Sequence, residues 1–262
     1  MNLILIHPEE LDTTGRAQLA DNRAEHIRNV LRAERGKTLR IGLLNGPFGA
    51  GTVEELSEDS VTLTCEFEAE SPPRPQIDLL LAMPRPKVLK RLWAQFAALG
   101  VGRIFITNAE KVEKYYFDTH ILEPDFYNAR FIEGLQQARD THLPEVIIVK
   151  NLKPFLENEE FPTFGGKLLA DPSGEGSLFQ CLEKLEKKVP NIGKGDSLAT
   201  RSAEMQRSCL GVGPEGGWTP CELEIFKAHG FELFGMGPRI LRTDTACIAL
   251  ISVLAEARRM GV

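Results

Sequence analysis

A chain of 262 residues with 42% hydrophobic and 26% charged side chains has the composition of a soluble globular protein. Its net charge of −6 argues against indiscriminate nucleic-acid binding, and it has no run of apolar residues long enough to cross a membrane. Five scattered cysteines, at 65, 181, 209, 221 and 247, form no C-x-x-C pair, so neither a zinc site nor a disulfide framework is expected.

The opening MNLILIHPEE is apolar for only a few residues and lacks the basic stretch of a signal peptide, so a cytoplasmic location is expected. Residues 1–7 read as a short strand. Between His26 and Arg32, Ile27, Val30 and Leu31 fall at helical spacing, with Arg28 and Arg32 on another face and Gly36 as the stop. Residues 38–44, 51–56 and 60–67 read as strands separated by glycine-rich or acidic turns. Ser71-Pro72-Pro73-Arg74-Pro75 places three prolines in five residues and marks a linker between a domain of residues 1–71 and one of residues 76–262.

Beyond the linker, strands and helices alternate. Strands are expected at 77–82, 103–107, 145–149, 167–170, 208–212 and 231–234. Helices are expected at 87–99, with Val88, Leu92, Phe96 and Leu99 on one side, and at 125–139, 222–229 and 243–259. Residues 190–207 are polar, lack periodicity and read as a surface loop. This alternation implies an α/β layer around a largely parallel sheet.

Charge is uneven. Residues 16–40 carry seven basic side chains against three acidic ones, and residues 85–114 carry seven against two. Such asymmetry suits a polyanion held on one face, with Arg28, Arg32, Arg35, Lys87 and Arg91 as its candidate contacts. In a parallel sheet, ligands bind beyond the carboxyl ends of the strands. Three loops occupy that position: Ala170-Asp171-Pro172-Ser173-Gly174, Gly213-Pro214-Glu215-Gly216-Gly217, and Gly235 to Arg242. The last two are glycine-rich. Neither is a Walker loop, since no G-K-[ST] follows, and neither is a Rossmann G-x-G-x-x-G. Their bare backbone suits close approach to a ligand.

Gly213-Pro214-Glu215-Gly216-Gly217, followed by Met236-Gly237-Pro238-Arg239-Ile240-Leu241-Arg242-Thr243-Asp244-Thr245-Ala246, resembles the signature of the RsmE family. These are SPOUT-superfamily methyltransferases acting on N3 of a uracil in 16S ribosomal RNA. The stretch from His26 to Arg32 and Leu99-Gly100-Val101 are also similar to family motifs. The resemblance implies an N-terminal PUA-like β-barrel that grips RNA and a C-terminal α/β domain ending in a trefoil knot. It also implies a homodimer acting on 16S ribosomal RNA or the small subunit, with S-adenosylmethionine as cofactor and no metal. Ala170, Asp171, Gly213, Pro214, Glu215, Gly216, Gly217, Met236, Gly237, Ile240, Leu241, Arg242 and Thr245 would then line the cofactor pocket.

Methyl transfer to uracil N3 needs the ring to lose a proton. Arg242 is the candidate to stabilise the developing anion, and Asp244 or Glu215 the candidate to accept the proton. A purely structural pairing of Arg242 with Glu215 is the alternative, and His26 reads as a packing or capping residue. The chain departs from the family in its middle. Gln95 and Ala98 stand where a Lys and a Glu are typical, and Asp140 stands at a typical Arg. Those departures leave open a different RNA target, either a ribose 2′-oxygen or another base. An RNA-binding assembly protein without catalysis is a separate alternative, against which the intact Gly213–Gly217 and Ile240–Ala246 speak.

Overall fold

The computed structural model describes residues 3–68, 70, 73, 76–158, 161–188 and 207–260. Most of the proposed linker, and the loop expected at 190–207 apart from Arg207, lie outside the described residues. The chain packs as two compact units, Met1–Arg74 with Asn128–Leu143, and Pro75–Tyr127 with Pro144–Val262. Among the described residues no helix is long and apolar enough to cross a membrane.

In the first unit, strands β1 (Ile4–Ile6), β2 (Arg16–Leu19), β3 (Thr38–Leu43), β4 (Phe48–Leu56) and β5 (Val61–Phe67) form one sheet in the order β1-β3-β4-β5-β2. The β1–β3 pair is parallel and the others antiparallel. The result is a curled, mixed half-barrel where the resemblance implied a PUA-like β-barrel. Alternating apolar residues of β3 and β5, Leu39, Ile41, Val61 and Leu63, turn one face onto a core shared with Ile4, Ile6, Leu19 and Ile27.

The helix read over His26–Arg32 is shorter than expected. Helix α1 (Asn22–Glu25), capped by the Asp21 carboxylate on Arg23 N, opens into a π-type turn over His26–Val30. Arg32 then sits in the left-handed region at φ 46°, which ends the helix. Arg28 and Arg32 therefore do not share a helix face, and Gly36 belongs to a separate turn whose N–H donates to Val53 O.

Asn128–Leu143 belongs to this unit rather than to residues 76–262 as a block. It carries most of α3 (Pro124–Ala138), with Phe131 and Leu135 fully buried. Its tail is stitched to the β3–β4 turn. Thr141 Oγ1 donates to Gly46 O at 2.7 Å, Asn45 N donates to Thr141 O at 2.7 Å, and Leu143 N donates to Asn45 Oδ1 at 2.9 Å. These are contacts far apart in sequence, which no local pattern encodes.

The second unit holds β6 (Ile77–Ala82), α2 (Pro86–Ala98), β7 (Val101–Thr107), β8 (Glu145–Val149), α4 (Leu152–Glu157), β9 (Gly166–Ala170), α5 (Leu178–Lys188), β10 (Ser208–Val212), α6 (Pro220–Ala228), β11 (Glu232–Phe234) and α7 (Thr243–Arg259). Its six strands are all parallel, in the order β11-β9-β10-β6-β7-β8. From β6 the chain steps outward through β7 to β8. It then crosses to the far side, where β10 inserts between β9 and β6. β6 and β10 are buried at every residue, as central parallel strands covered on both faces must be. α7 returns to the middle of the sheet and packs on α2, β6 and β10. On α2 the buried face is Leu89, Leu92, Trp93 and Phe96, turned by about one residue from the expected stripe.

Candidate active site

The sheet order decides where a ligand can sit. β11, β9, β10 and β6 are consecutive neighbours, so the loops leaving their carboxyl ends converge. They enclose a cleft of about 750 Å³, within the range that holds a small organic ligand. After β6 comes Arg85, and after β9 come Asp171 and Pro172. After β10 come Gly213 to Trp218, and after β11 come Met236, Gly237 and Arg239 to Arg242. The first turn of α7, with Thr243, Asp244 and Ala246, closes the remaining side.

Twelve of the thirteen residues assigned to the pocket from sequence line this cleft. Thr245 is the exception. It falls on the exposed side of the first turn of α7, its N–H donating to Asp244 Oδ1 at 2.9 Å, while the residues on either side of it face the cleft. Ile240 is 85% exposed, so it stands at the lip rather than the floor. Arg85, Val88, Trp218, Arg239, Thr243 and Leu250 also line the cleft and were missed. Arg85 and Val88 arrive because β6 and β10 are neighbours, and that pairing is a property of the fold.

The two glycine-rich turns are shaped by backbone demands. Gly217 has φ 69° and Gly237 has φ 84°, values at which an L side chain is strained. Gly216 lines the cleft, yet a Cβ there would meet the aliphatic stem of Lys111 at 3.1 Å. Lys111 lies across the turn and its Nζ donates to Gly216 O at 2.9 Å. Its loop is anchored in turn by Glu222. That residue completes a capping box with Thr219 at the start of α6 and accepts from Glu110 N at 2.8 Å. On the other wall, Gly174 packs against the backbone of Phe234, which a Cβ would overlap. Gly174→Ala is therefore expected to cost about 1–3 kcal/mol through forced backbone movement, read as a lower melting temperature. A melting temperature equal to the parent's would show that this wall yields freely.

Glu215 does not pair with Arg242. Its Oε1 accepts from the backbone N of Arg85 at 3.0 Å, which ties the β10 loop to the β6 loop. Arg242 instead approaches Asp244, Nη2 to Oδ2 at 3.4 Å, and keeps a 73% exposed side chain. Asp244 Oδ2 also accepts from Arg91 Nη2 of α2 at 2.7 Å. Behind it, burial and the Asp244 charge push the Cys247 thiol up to about 12, so it stays protonated at neutral pH and supplies no nucleophile.

The candidate RNA contacts divide between the units. In the first, Arg32 and Arg35 are exposed and half-buried Arg28 donates to Ser57 O at 3.2 Å. In the second, Lys87 is exposed on α2, whereas Arg91 is engaged by Asp244. His26 forms the C-cap of α1. Among the described residues no group of three His, Cys, Asp or Glu side chains is placed to hold a metal.

A glycine-walled cleft at the carboxyl edge of a parallel sheet, closed by a returning C-terminal helix, defines an α/β domain built to bind a small-molecule ligand. A family model described as an RNA methyltransferase domain matches residues 70–255. The chain belongs to that family, in its RsmE branch. It is 29% identical over 261 residues to the ribosomal RNA small subunit methyltransferase E of Treponema pallidum, covering 98% of this chain and 92% of that one. It is 24% identical to the Bacillus subtilis protein of the same name, covering 94% and 92%. Its fold is shared with the crystal structure of the ribosomal RNA small subunit methyltransferase E of Neisseria gonorrhoeae bound to S-adenosyl methionine. The TM-score is 0.71 at 20% identity, covering 98% of this chain and 97% of that one.

Proposed function

We propose that this chain transfers the methyl group of S-adenosylmethionine to N3 of a uridine in 16S ribosomal RNA, acting as a homodimer. The observation that carries the reading is the cleft walled by Gly213–Gly217 and by Met236–Arg242. The residues present fit the cofactor. The cleft has the right volume, and its two walls are bare backbone at Gly217 and Gly237 that can approach a nucleoside closely. The named relatives support the target class.

When bound, S-adenosylmethionine supplies an electrophilic methyl carbon on a sulfonium. Everything else falls to the chain. The three loop walls hold the ligand and exclude water, which aligns the partners of an in-line displacement. Arg242 faces the negative charge that develops on the uracil as its N3–H is lost. Glu215, anchored by one oxygen to Arg85 N, accepts that proton directly or through a water. The first unit, with Arg28, Arg32 and Arg35, and the second, with Lys87, supply phosphate contacts.

Two measurements test the reading. Calorimetric titration with S-adenosylmethionine and S-adenosylhomocysteine is expected to show saturable binding, lost in Ala246→Trp, where an indole would fill the cleft. Mass mapping of 16S ribosomal RNA after gene loss is expected to show one unmethylated uridine. Binding without any change in uridine methylation would sink the target assignment, and no binding at all would sink the enzyme.

A further inference from the structure

The loop leaving β7 carries an aromatic pair that packing does not account for. Lys114–Phe117 form a single 3-10 turn. Within it Tyr115 is 64% exposed, and its ring stands edge-on to Tyr116 at 4.9 Å and 84°. Tyr116 thus buttresses one side of a ring whose other surface meets solvent. An exposed tyrosine held in a fixed orientation offers a flat π-face at low entropic cost.

Its position gives that face a use. The loop is tied to the cleft twice, through Glu110 N on Glu222 Oε1 and through Lys111 Nζ on Gly216 O. Gly216 lines the cleft, so the turn that begins at Lys114, soon after Lys111, starts from the edge of that cleft. Chemistry on a base edge requires that base to leave its stack, and its neighbours on the strand then lose a stacking partner too. An aromatic ring beside the pocket replaces that partner.

We propose that Tyr115, buttressed by Tyr116, is the platform on which a base of single-stranded RNA stacks as the strand enters the cleft. This rests on reading the chain as an RNA methyltransferase. Exposed Lys114 lies in the turn between Glu113 and Asp118, so the turn carries no net positive charge and phosphate attraction does not dominate at this point. Stacking does, and stacking is indifferent to salt.

Fluorescence anisotropy with a short fluorescein-labelled oligouridine tests this on the full chain. Tyr115→Ala is expected to weaken binding about tenfold or more, the loss of one base–aromatic stack. Tyr115→Phe, which keeps the ring, is expected to bind like the parent. The slope of log K against log salt is expected to be the same in all three proteins. The proposal is overturned if the parent does not bind oligouridine, if the alanine variant binds like the parent, or if the phenylalanine variant loses as much as alanine. It is also overturned if Tyr115→Ala changes the oligomeric state on size exclusion, which would assign the pair to an interface between copies. The assay involves no methyl transfer. Tyr115-dependent binding in a chain that leaves ribosomal RNA unmethylated would overturn the proposed activity and keep the platform. Methylation with unchanged affinity in Tyr115→Ala would overturn the platform alone.

Discussion

Replacing Asp78 by Ala is expected to destabilise the second unit by about 3–5 kcal/mol, the cost of stripping one partner from a buried ion pair. Asp78 lies in β6 and is fully buried. Its Oδ1 accepts from Arg103 N at 2.7 Å, and its Oδ2 accepts from Arg103 Nε at 2.9 Å and from Arg207 Nε at 2.8 Å. Arg207 Nη2 closes onto Oδ1. One carboxylate thus compensates two guanidiniums whose side chains are only 18% and 15% exposed. Without it Arg103 and Arg207 both lose this carboxylate, which lies between them on β6. The melting temperature should fall by about 10 °C for a unit of this size. Asp78→Asn should fall nearly as far, because it keeps the shape and loses the charge. The cluster sits at the amino ends of the strands, away from the cleft, so cofactor affinity measured well below the transition should not change. A melting shift under about 2 °C in both variants would mean that the guanidiniums find water, and that the carboxylate is not what holds them.

Why some of this was readable in the sequence, and some was not, follows from the range of the interactions involved. Glu145–Val149, Ser208–Val212 and Thr243–Arg259 appear with the bounds their apolar patterns gave. Each is a local signal, a β-branched or apolar run between breakers or a long helical stripe. β2 was missed because Arg16-Ala17-Gln18-Leu19 offers only two apolar residues. It becomes a strand by pairing with β5, Arg16 opposite Thr64, and that partner lies far along the chain. α5 was missed although Leu178, Leu182 and Leu185 fall at helical spacing, a signal that was there to be used. The glycine-rich walls were legible through the resemblance of Gly213–Gly217 and Met236–Ala246 to a family signature, since a glycine-rich turn at the end of a buried strand suits close approach to a ligand but serves equally as a plain tight turn. Arg85 was not legible, because it reaches the cleft only through the β10–β6 neighbourhood, and neither was Lys111, which braces Gly216 from a loop that Glu222 anchors. The pairing of Arg242 stayed open on the same ground. Sequence put Glu215 and Asp244 on equal terms, and the fold gives Glu215 to the Arg85 backbone and Asp244 to Arg91.

That division of partners separates the roles of the two carboxylates. Arg242→Ala is expected to lower kcat for methylation of small-subunit ribosomal RNA by about a hundred- to a thousandfold, as removing one preorganised donor to a developing anion does. Arg242 also lines the cleft, so cofactor affinity should fall as well, but by much less than kcat, because the guanidinium meets full negative charge only as the reaction proceeds. Asp244 has both oxygens engaged, by Thr245 N, by Arg91 and at longer range by Arg242. It is placed to orient Arg242, and Asp244→Asn should lower kcat by about tenfold without altering the shape of the pH profile. Arg91→Ala should reproduce that loss and add little in the double variant, since the two act through one contact. Glu215→Gln should behave differently. Uracil gives up its N3 proton poorly, so an enzyme without a base turns over only the fraction of substrate already ionised. Its rate should then climb about tenfold per pH unit across the neutral range, where the parent levels off. If Asp244→Asn climbs in this way and Glu215→Gln levels off, the assignments exchange: Asp244 takes the proton, and Glu215 only braces the loop that carries Arg85.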